Sequence, residues 1–240
     1  ERLAPHIRET TAIIDKAIQR NQPVLLEGAQ GTMLDPDFGT YPYATSSSPL
    51  AGGASIGAGI GPTKIDAVLG VFKAYVTRVG AGPFPSELKD KIGDSIRERG
   101  HEFGTTTGRP RSCGWFDTVA ARFSTRINGF TAAAITRLDI LDGFPSLKIC
   151  TGYKLGNHKV DDFPSRHDVL EKCQPVYEEL PGWQTPVSDV REFNQLPAEA
   201  RRYVARLEEL IDCPVSIISV GPSREQTIEV KPLVAHGSFF

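Results

Sequence analysis

The sequence predicts an α/β protein with a mixed, mostly parallel sheet flanked by helices. Two observations predict this class. Segments with helical periodicity alternate with short apolar runs suited to buried strands, and no internal repeat interrupts the alternation. The length of 240 residues lies between one large domain and two small ones. We place no internal boundary within 1–240.

The N-terminal elements follow from hydrophobic spacing and from glycine and proline positions. A helix that ends near Asn21 is predicted by apolar residues at helical spacing, namely Leu3, Ile7, Ile14 and Ile18. The apolar run 24–26, between a proline and a glycine, predicts a buried strand. Residues 28–62 show neither period and are rich in Gly, Ser, Thr, Pro and Tyr, which indicates a long binding loop.

The later elements alternate more regularly. Residues 63–79 combine a predicted helix with a strand that ends at Val79, and a helix containing Ile92 and Ile96 closes at Gly100. A polar loop then covers 101–114. The remaining pattern predicts a helix over 116–127, strands over 132–138, 148–153 and 215–220, and a helix from Pro197 through Ile211.

Composition narrows the function classes. A net charge of −2 creates no broad field for nucleic acid or an anionic membrane, so any anionic ligand needs a local cluster of arginine or lysine. No apolar run approaches the roughly 20 residues that span a bilayer. The four cysteines are too widely spaced for a C-x-x-C motif, which favours reduced thiols. We therefore expect a cytoplasmic protein.

The most informative loop runs from residue 105 to 111 and reads Thr105-Thr106-Thr107-Gly108-Arg109-Pro110-Arg111. Its hydroxyl groups donate and accept hydrogen bonds, and its two guanidinium groups match carboxylate or phosphate oxygens. The glycine permits a tight turn, and the proline limits the entropy lost on binding. The loop suits a small dianion, although the same residue types also make a solvated basic loop.

Two predicted strand ends carry side chains suited to a nucleotide. Gln30 follows the run 24–26, at the edge of a sheet where ligands gather, although a glycine-rich segment there is also an ordinary turn. Asp139 follows the strand 132–138, where its carboxylate could accept two hydrogens from the N1 and N2 edge of guanine. Arg137 could cover the base plane, although a surface Arg–Asp pair explains the same residues.

Motifs for phosphate and metal binding are absent from the sequence. No G-x-x-x-x-G-K-[ST] segment occurs, and the five histidines show no metal-ligand spacing. The sequence therefore predicts no metal site within this chain.

Several long motifs resemble those of the adenylosuccinate synthetase family. In chain order they are LEGAQGTMLDPDFGTYPYATSS at 26–47, TRVGAGPFP at 77–85, the loop 105–111 with CGW at 113–115, LDILDG at 138–143 and SVGP at 219–222. They occur in the right order over nearly the whole chain, so chance explains them poorly. The resemblance implies the C-terminal portion of a P-loop-NTPase-like fold.

The resemblance also implies an activity. GTP phosphorylates the 6-oxygen of inosine monophosphate (IMP), and the amine of L-aspartate then displaces that phosphate, giving adenylosuccinate, GDP and phosphate in AMP biosynthesis. Magnesium and a homodimer are implied as well. The implied partners are thus GTP, IMP and L-aspartate, with no nucleic acid and no membrane.

Residue roles follow from the same resemblance. The implied IMP contacts are Gln30, Thr45, Val79 and Arg109. The implied aspartate loop comprises Thr105, Thr106, Thr107, Gly108, Arg109, Pro110 and Arg111. The implied GTP contacts are Arg111, Arg137, Leu138, Asp139, Ser219, Val220 and Gly221. Arg137 stands where the family usually has lysine, and Ser112 where arginine is common.

The family's phosphate loop, catalytic aspartate, catalytic histidine and dimer-partner arginine belong to an N-terminal half that does not occur in these 240 residues. We therefore expect no catalytic residue here, magnesium ligands mainly in that other half, and an isolated chain that is inactive. A non-catalytic nucleotide-binding or scaffold module is the alternative, and the ordered motifs disfavour an unrelated α/β transferase.

Overall fold

The computed structural model describes residues 2–104 and 108–232 and divides them into two compact units. The first unit comprises residues 2–68, and the second begins at Leu69. In the described ranges the α-helices are α1 Thr10–Gln19, α2 Ala51–Ala58, α3 Lys91–Arg99, α4 Thr118–Asn128, α5 His167–Leu170 and α6 Ala198–Ile211. The strands are β1 Leu69–Lys73, β2 Val76–Arg78, β3 Ser112–Gly114, β4 Phe116–Asp117, β5 Ala132–Thr136, β6 Ser146–Leu155, β7 His158–Val160, β8 Gln174–Pro181, β9 Val215–Ser219 and β10 Thr227–Glu229.

The first unit is built from two helices and irregular backbone. The carboxylate of Glu9 caps α1 by accepting a hydrogen bond from the backbone N–H of Thr11 at 3.2 Å. Gly59 ends α2 in the left-handed conformation, with φ of 67°. The buried hydrophobic residues of the described chain all lie in the second unit, whereas Leu25 in the first is 90% exposed.

Three sequence predictions for residues 2–79 are wrong. The helix predicted within 63–79 does not form, and only a three-residue 3-10 helix, Pro62–Lys64, precedes β1 there. The run 24–26 forms no strand, because no other segment pairs with it and its side chains are not covered, which a buried strand requires. The segment 28–62 is not wholly irregular, since it contains α2. That helix has four glycine or serine positions in eight residues, so its sequence carries little intrinsic helix preference.

The second unit contains the mostly parallel sheet. Its strand order is β1-β5-β9-β10, in which the first three strands are parallel and β10 runs antiparallel to β9. A second sheet centres on β6, which pairs parallel with β4 and antiparallel with β7 and β8. A short antiparallel pair joins β2 to β3. The predicted mixed, mostly parallel α/β fold is confirmed.

Helix α6 shows why these segments pack as they do. Its buried residues recur at helical spacing and form one apolar face: Ala200, Tyr203, Val204, Leu207 and Ile211. The hydroxyl of Tyr203 donates a hydrogen bond to the backbone oxygen of Ala74 at 2.7 Å, so this face is tied to the segment that follows β1. Across the described ranges, no helix has the length and apolar character to cross a membrane.

Helix α4 begins at a buried carboxylate. Asp117 accepts hydrogen bonds from the backbone N–H groups of Val119 and Ala120 at 3.1 and 3.2 Å. The hydroxyl of Tyr153 donates to the other oxygen of Asp117 at 2.7 Å. One side chain therefore starts α4 and joins it to β6.

The parallel arrangement fixes where a ligand site can form. Strands β1, β5 and β9 end at Lys73, Thr136 and Ser219, and these three ends lie at the same edge of the sheet. In α/β sheets ligands bind beyond that edge.

Candidate functional site

Glu102 lies at the centre of a charged cluster beyond the carboxyl end of β1. Its side chain is fully buried and receives hydrogen bonds from Lys73 at 2.7 Å and from the hydroxyl of Tyr75 at 2.6 Å. Arg111 donates to its other oxygen at 2.9 Å, and a guanidinium nitrogen of Arg137 lies 3.6 Å from the first. One carboxylate therefore faces three cations and a phenol.

The cluster perturbs the acidity of its members. Burial alone would raise the pKa of Glu102, but the hydrogen bonds from Lys73 and Tyr75 and the nearby positive charges outweigh it and lower the pKa. Burial lowers the pKa of Lys73, and its contacts with Glu102 offset this only in part. Glu102 therefore stays ionised while its surroundings retain an excess of positive charge.

The lowered pKa of Glu102 predicts a pH-dependent stability. Its stabilising contribution is present above 4.5, the ordinary pKa of a glutamate, and is lost as the pH falls through the lower folded value. Because its partners are partly exposed, we expect Glu102→Gln to reduce the free energy of unfolding by about 1–3 kcal/mol at pH 7. Urea unfolding from pH 7 to 3 should show this difference shrinking below pH 4.5, and a constant difference would contradict the assignment.

The turn after β5 presents a carboxylate with an unused acceptor. Arg137 adopts the left-handed conformation, with φ of 61°, and starts a short 3-10 turn, Leu138–Leu141. The Oδ1 atom of Asp139 is buried and has no hydrogen-bond partner among the atoms of the described residues. Burial raises the pKa of Asp139, and the charges of Arg137 and Arg99 oppose this. A buried acceptor without a partner is costly, so this oxygen is suited to a ligand's donors.

The described residues on the two sides of 105–107 pair with each other. Phe103 pairs with Pro110, and the N–H of Gly104 donates to the oxygen of Arg109 at 2.8 Å. Gly108 has φ of 63°, a conformation that favours glycine. Arg111 is half-buried, and its Nε lacks a partner within the described residues. The predicted contacts Thr105, Thr106 and Thr107 lie outside the described residues.

The segment after β9, residues 219–221, is fixed by its own hydrogen bonds and by close contact with Gln226. The hydroxyl of Ser219 donates to the oxygen of Gly221 at 2.8 Å, and Val220 is fully buried. Gly221 approaches the side-chain amide of Gln226 so closely that an added Cβ would lie 2.3 Å from it. That amide donates to the oxygen of Ser188 at 3.0 Å, which fixes its position.

The remaining predicted contacts lie elsewhere. Gln30 and Thr45 belong to the first unit, where the hydroxyl of Ser47 donates to Oε1 of Gln30 at 3.5 Å. The N–H of Thr45 donates to the oxygen of Leu34 at 2.7 Å. Val79 follows β2 in the second unit and is 55% exposed.

Within the second unit, the structure brings together the arginines that the sequence analysis took from two separate motifs. Arg111 and Arg137 both contact Glu102. Glu102, Lys73 and Tyr75 were not predicted as site residues from the sequence. A single buried glutamate produces no periodic pattern in the sequence. The only local signal was weak: a lysine and a tyrosine, Lys73 and Tyr75, stand two positions apart near the end of a strand.

The sheet is mostly parallel, and its strand ends carry a carboxylate with an unpartnered oxygen and a cluster of cations. These features define an α/β protein of the class that binds ligands at the carboxyl edge of its sheet. The family model described as adenylosuccinate synthetase matches residues 1–228. This chain belongs to the adenylosuccinate synthetase family.

Individual relatives support the same family membership. The adenylosuccinate synthetase of Dehalococcoides mccartyi strain BAV1 is 58% identical over 94% of this chain and 53% of its own length. That of Caldanaerobacter subterraneus is 56% identical over 96% of this chain and 54% of its own length. The chain therefore spans about half the length of the curated relatives it matches.

Solved structures extend the comparison. The fully ligated adenylosuccinate synthetase of Plasmodium falciparum has a TM-score of 0.93 and 39% identity, covering 95% of this chain and 55% of that one. A cyanophage S-2L succinoaminodeoxyadenylate synthetase has a TM-score of 0.55 at 17% identity and shares the fold alone.

Proposed function

We propose that this chain is the guanine-reading and aspartate-binding portion of a GTP-dependent ligase that joins L-aspartate to IMP in AMP biosynthesis. Family membership supports the reaction, and one observation carries the role of this chain. That observation is the buried, unpartnered Oδ1 of Asp139 at the edge where the parallel strands end.

Asp139 is suited to guanine because an ionised carboxylate only accepts hydrogen bonds. The N1–H and N2–H groups of guanine are two donors on one edge, and adenine lacks that pair. An adenine in the same place would leave the carboxylate unsatisfied, so discrimination arises from the cost of a buried, unpaired acceptor. We assign Arg137, Leu138, Ser219, Val220 and Gly221 to the same base.

The anionic ligands are assigned to the loop 105–111. Arg109 and Arg111 supply forked donors for a carboxylate or phosphate, and the three threonines supply hydroxyls. We assign Arg109 to both aspartate and IMP, and Arg111 also to the GTP side. Gln30, Thr45 and Val79 are the remaining proposed IMP contacts.

The residues of this chain thus bind and orient, and we assign none of them a bond-making step. Among the described residues no group of three or more His, Cys, Asp or Glu could hold a metal ion. As the family resemblance implies, we propose that the ligands for Mg²⁺ lie mainly in the other half of the family's length. A homodimer and a cytoplasmic location complete the proposal, and sedimentation of the whole protein would test the former.

Calorimetry with GDP and ADP tests the guanine assignment directly. We expect the chain to bind GDP and to release no measurable heat with ADP. The substitution Asp139→Asn should abolish this preference, and its matched control is Asp161→Asn, since Asp161 is an exposed aspartate that pairs with Lys159 at 2.6 Å. Equal affinity for GDP and ADP would refute guanine reading. In the parent protein, the absence of heat with GTP, IMP and aspartate would favour the scaffold alternative.

The isolated chain should lack ligase activity. Mixed with GTP, IMP, L-aspartate and Mg²⁺, it should release no phosphate above the background of a heat-denatured sample, because the proposed residues bind ligands without transferring the phosphoryl group. A coupled phosphate assay measures this. Clear turnover of the chain alone would show that the chemistry resides in these 240 residues.

A further inference from the structure

We propose that Glu102 is a positioning residue that holds Arg111 and Arg137 in fixed orientations. It thereby connects the last residue of the loop 105–111 to the turn that contains Asp139. The identity of the ligands rests on the proposed function, whereas the fixing of the two arginines does not.

The carboxylate of Glu102 is itself immobilised. Lys73, at the end of β1, and Tyr75 donate to its Oε1 atom at 2.7 and 2.6 Å. The side chain is completely buried, so water cannot replace these donors. A carboxylate fixed by two donors from one strand end is a rigid acceptor for its other partners.

Both arginines are held by side chain and backbone of the same short segment. Arg111 donates from its guanidinium to Oε2 of Glu102 at 2.9 Å and from its backbone N–H to the oxygen of Glu102, also at 2.9 Å. Arg137 donates from Nη1 to the backbone oxygen of Gly100 and lies 3.6 Å from Oε1 of Glu102. Residues 100–102 therefore set the spacing between the two guanidinium groups.

The charge balance indicates positioning rather than neutralisation. One carboxylate faces Lys73, Arg111 and Arg137, so two positive charges remain uncompensated within the cluster. The side chains of these cations are 25%, 26% and 42% exposed, so each still reaches solvent. Glu102 thus engages part of each guanidinium and leaves its other donors available to an anionic ligand.

Glu102→Asp separates this role from that of a simple counter-charge. The aspartate keeps the negative charge but is one methylene shorter, so it cannot reach partners on both sides of the cluster. Positioning predicts that it behaves like Glu102→Gln, whereas a counter-charge role predicts that it behaves like the native chain. The matched control is Glu98→Gln, which changes an exposed glutamate of α3.

The first measurement needs no ligand. In ¹⁵N-arginine spectra of the 240-residue chain, the Nη–H signals of Arg111 and Arg137, assigned by single substitution, should exchange slowly with water in the native chain and in Glu98→Gln, because Nη1 of each arginine makes the contact with residues 100–102. In Glu102→Asp and Glu102→Gln both signals should exchange at least about tenfold faster, since misplaced groups lose their fixed partners. Native-like exchange in folded Glu102→Asp would overturn the proposal.

The second measurement is GDP affinity by calorimetry. Glu102→Asp should weaken GDP binding about tenfold while Glu98→Gln stays within about twofold. If the native chain binds GDP and Glu102→Asp binds it equally well, the proposal fails and the guanine assignment stands. If the native chain does not bind GDP, the guanine assignment fails, and the exchange measurement still decides whether Glu102 fixes the arginines.

Discussion

Replacing Asp139 by asparagine should weaken GDP binding roughly 10- to 150-fold. Hydrogen bonds to a charged acceptor contribute about 1.5–3 kcal/mol, and the amide both removes the charge and turns an NH₂ donor toward the donors of guanine. The buried Oδ1 of Asp139 has no other partner in the described chain, so no protein contact compensates for the change. Calorimetric titration with GDP measures the loss.

The same substitution should leave the ligand-free chain at least as stable. Burial raises the pKa of Asp139, which means that the folded state disfavours its charge, and a neutral amide removes that cost. Loss of GDP affinity without loss of thermal stability would separate a ligand contact from a folding contact. Native GDP affinity in a folded Asp139→Asn chain would contradict the guanine assignment.

Replacing Asp117 by alanine should reduce the free energy of unfolding by about 2–4 kcal/mol. The change removes the cap of α4, which contributes about 0.5–2 kcal/mol. It also leaves the hydroxyl of fully buried Tyr153 without its acceptor, at a cost of about 1–3 kcal/mol. Urea unfolding followed by circular dichroism measures the total.

Two further variants divide that total. Asp90 caps α3 by accepting from the N–H groups of Ile92 and Gly93 at 2.9 and 3.1 Å, so Asp90→Ala removes a cap without a buried partner and should cost about 1 kcal/mol. Adding Tyr153→Phe to Asp117→Ala should recover part of the loss, since no hydroxyl is then stranded. Equal losses in Asp90→Ala and Asp117→Ala would show that the bond to Tyr153 contributes nothing.

The sequence predicted the second unit well because its elements carry strong local signals. Helix α6 has an unbroken apolar face, α3 closes at Gly100 as predicted, and β5 is an apolar run without interruption. Strand β8 went unpredicted, because its two prolines and its adjacent glutamates are typical of a loop, and only pairing along β6 makes it a strand. The first unit was harder, since its helices bury no hydrophobic side chain among the described residues.

The candidate site was predictable where it consists of motifs. Arg111, Arg137 and Asp139 each stand in a segment with distinctive neighbours, and family membership is confirmed. The residue roles themselves stay predictions. Glu102 could not be found in this way, because its importance arises from contacts with residues 29 positions before and 35 positions after it, and no local pattern encodes such contacts.

Strand β1 has a practical consequence for work with this chain. In the described part of the chain it pairs only with β5, and Val71 on it is 68% exposed. Backbone donors and acceptors along an unprotected, apolar strand attract the same strand of another molecule. The chain should therefore be studied at low concentration or as a fusion to a soluble carrier protein. Light scattering should precede any calorimetric titration, since heat from self-association would be mistaken for heat of ligand binding.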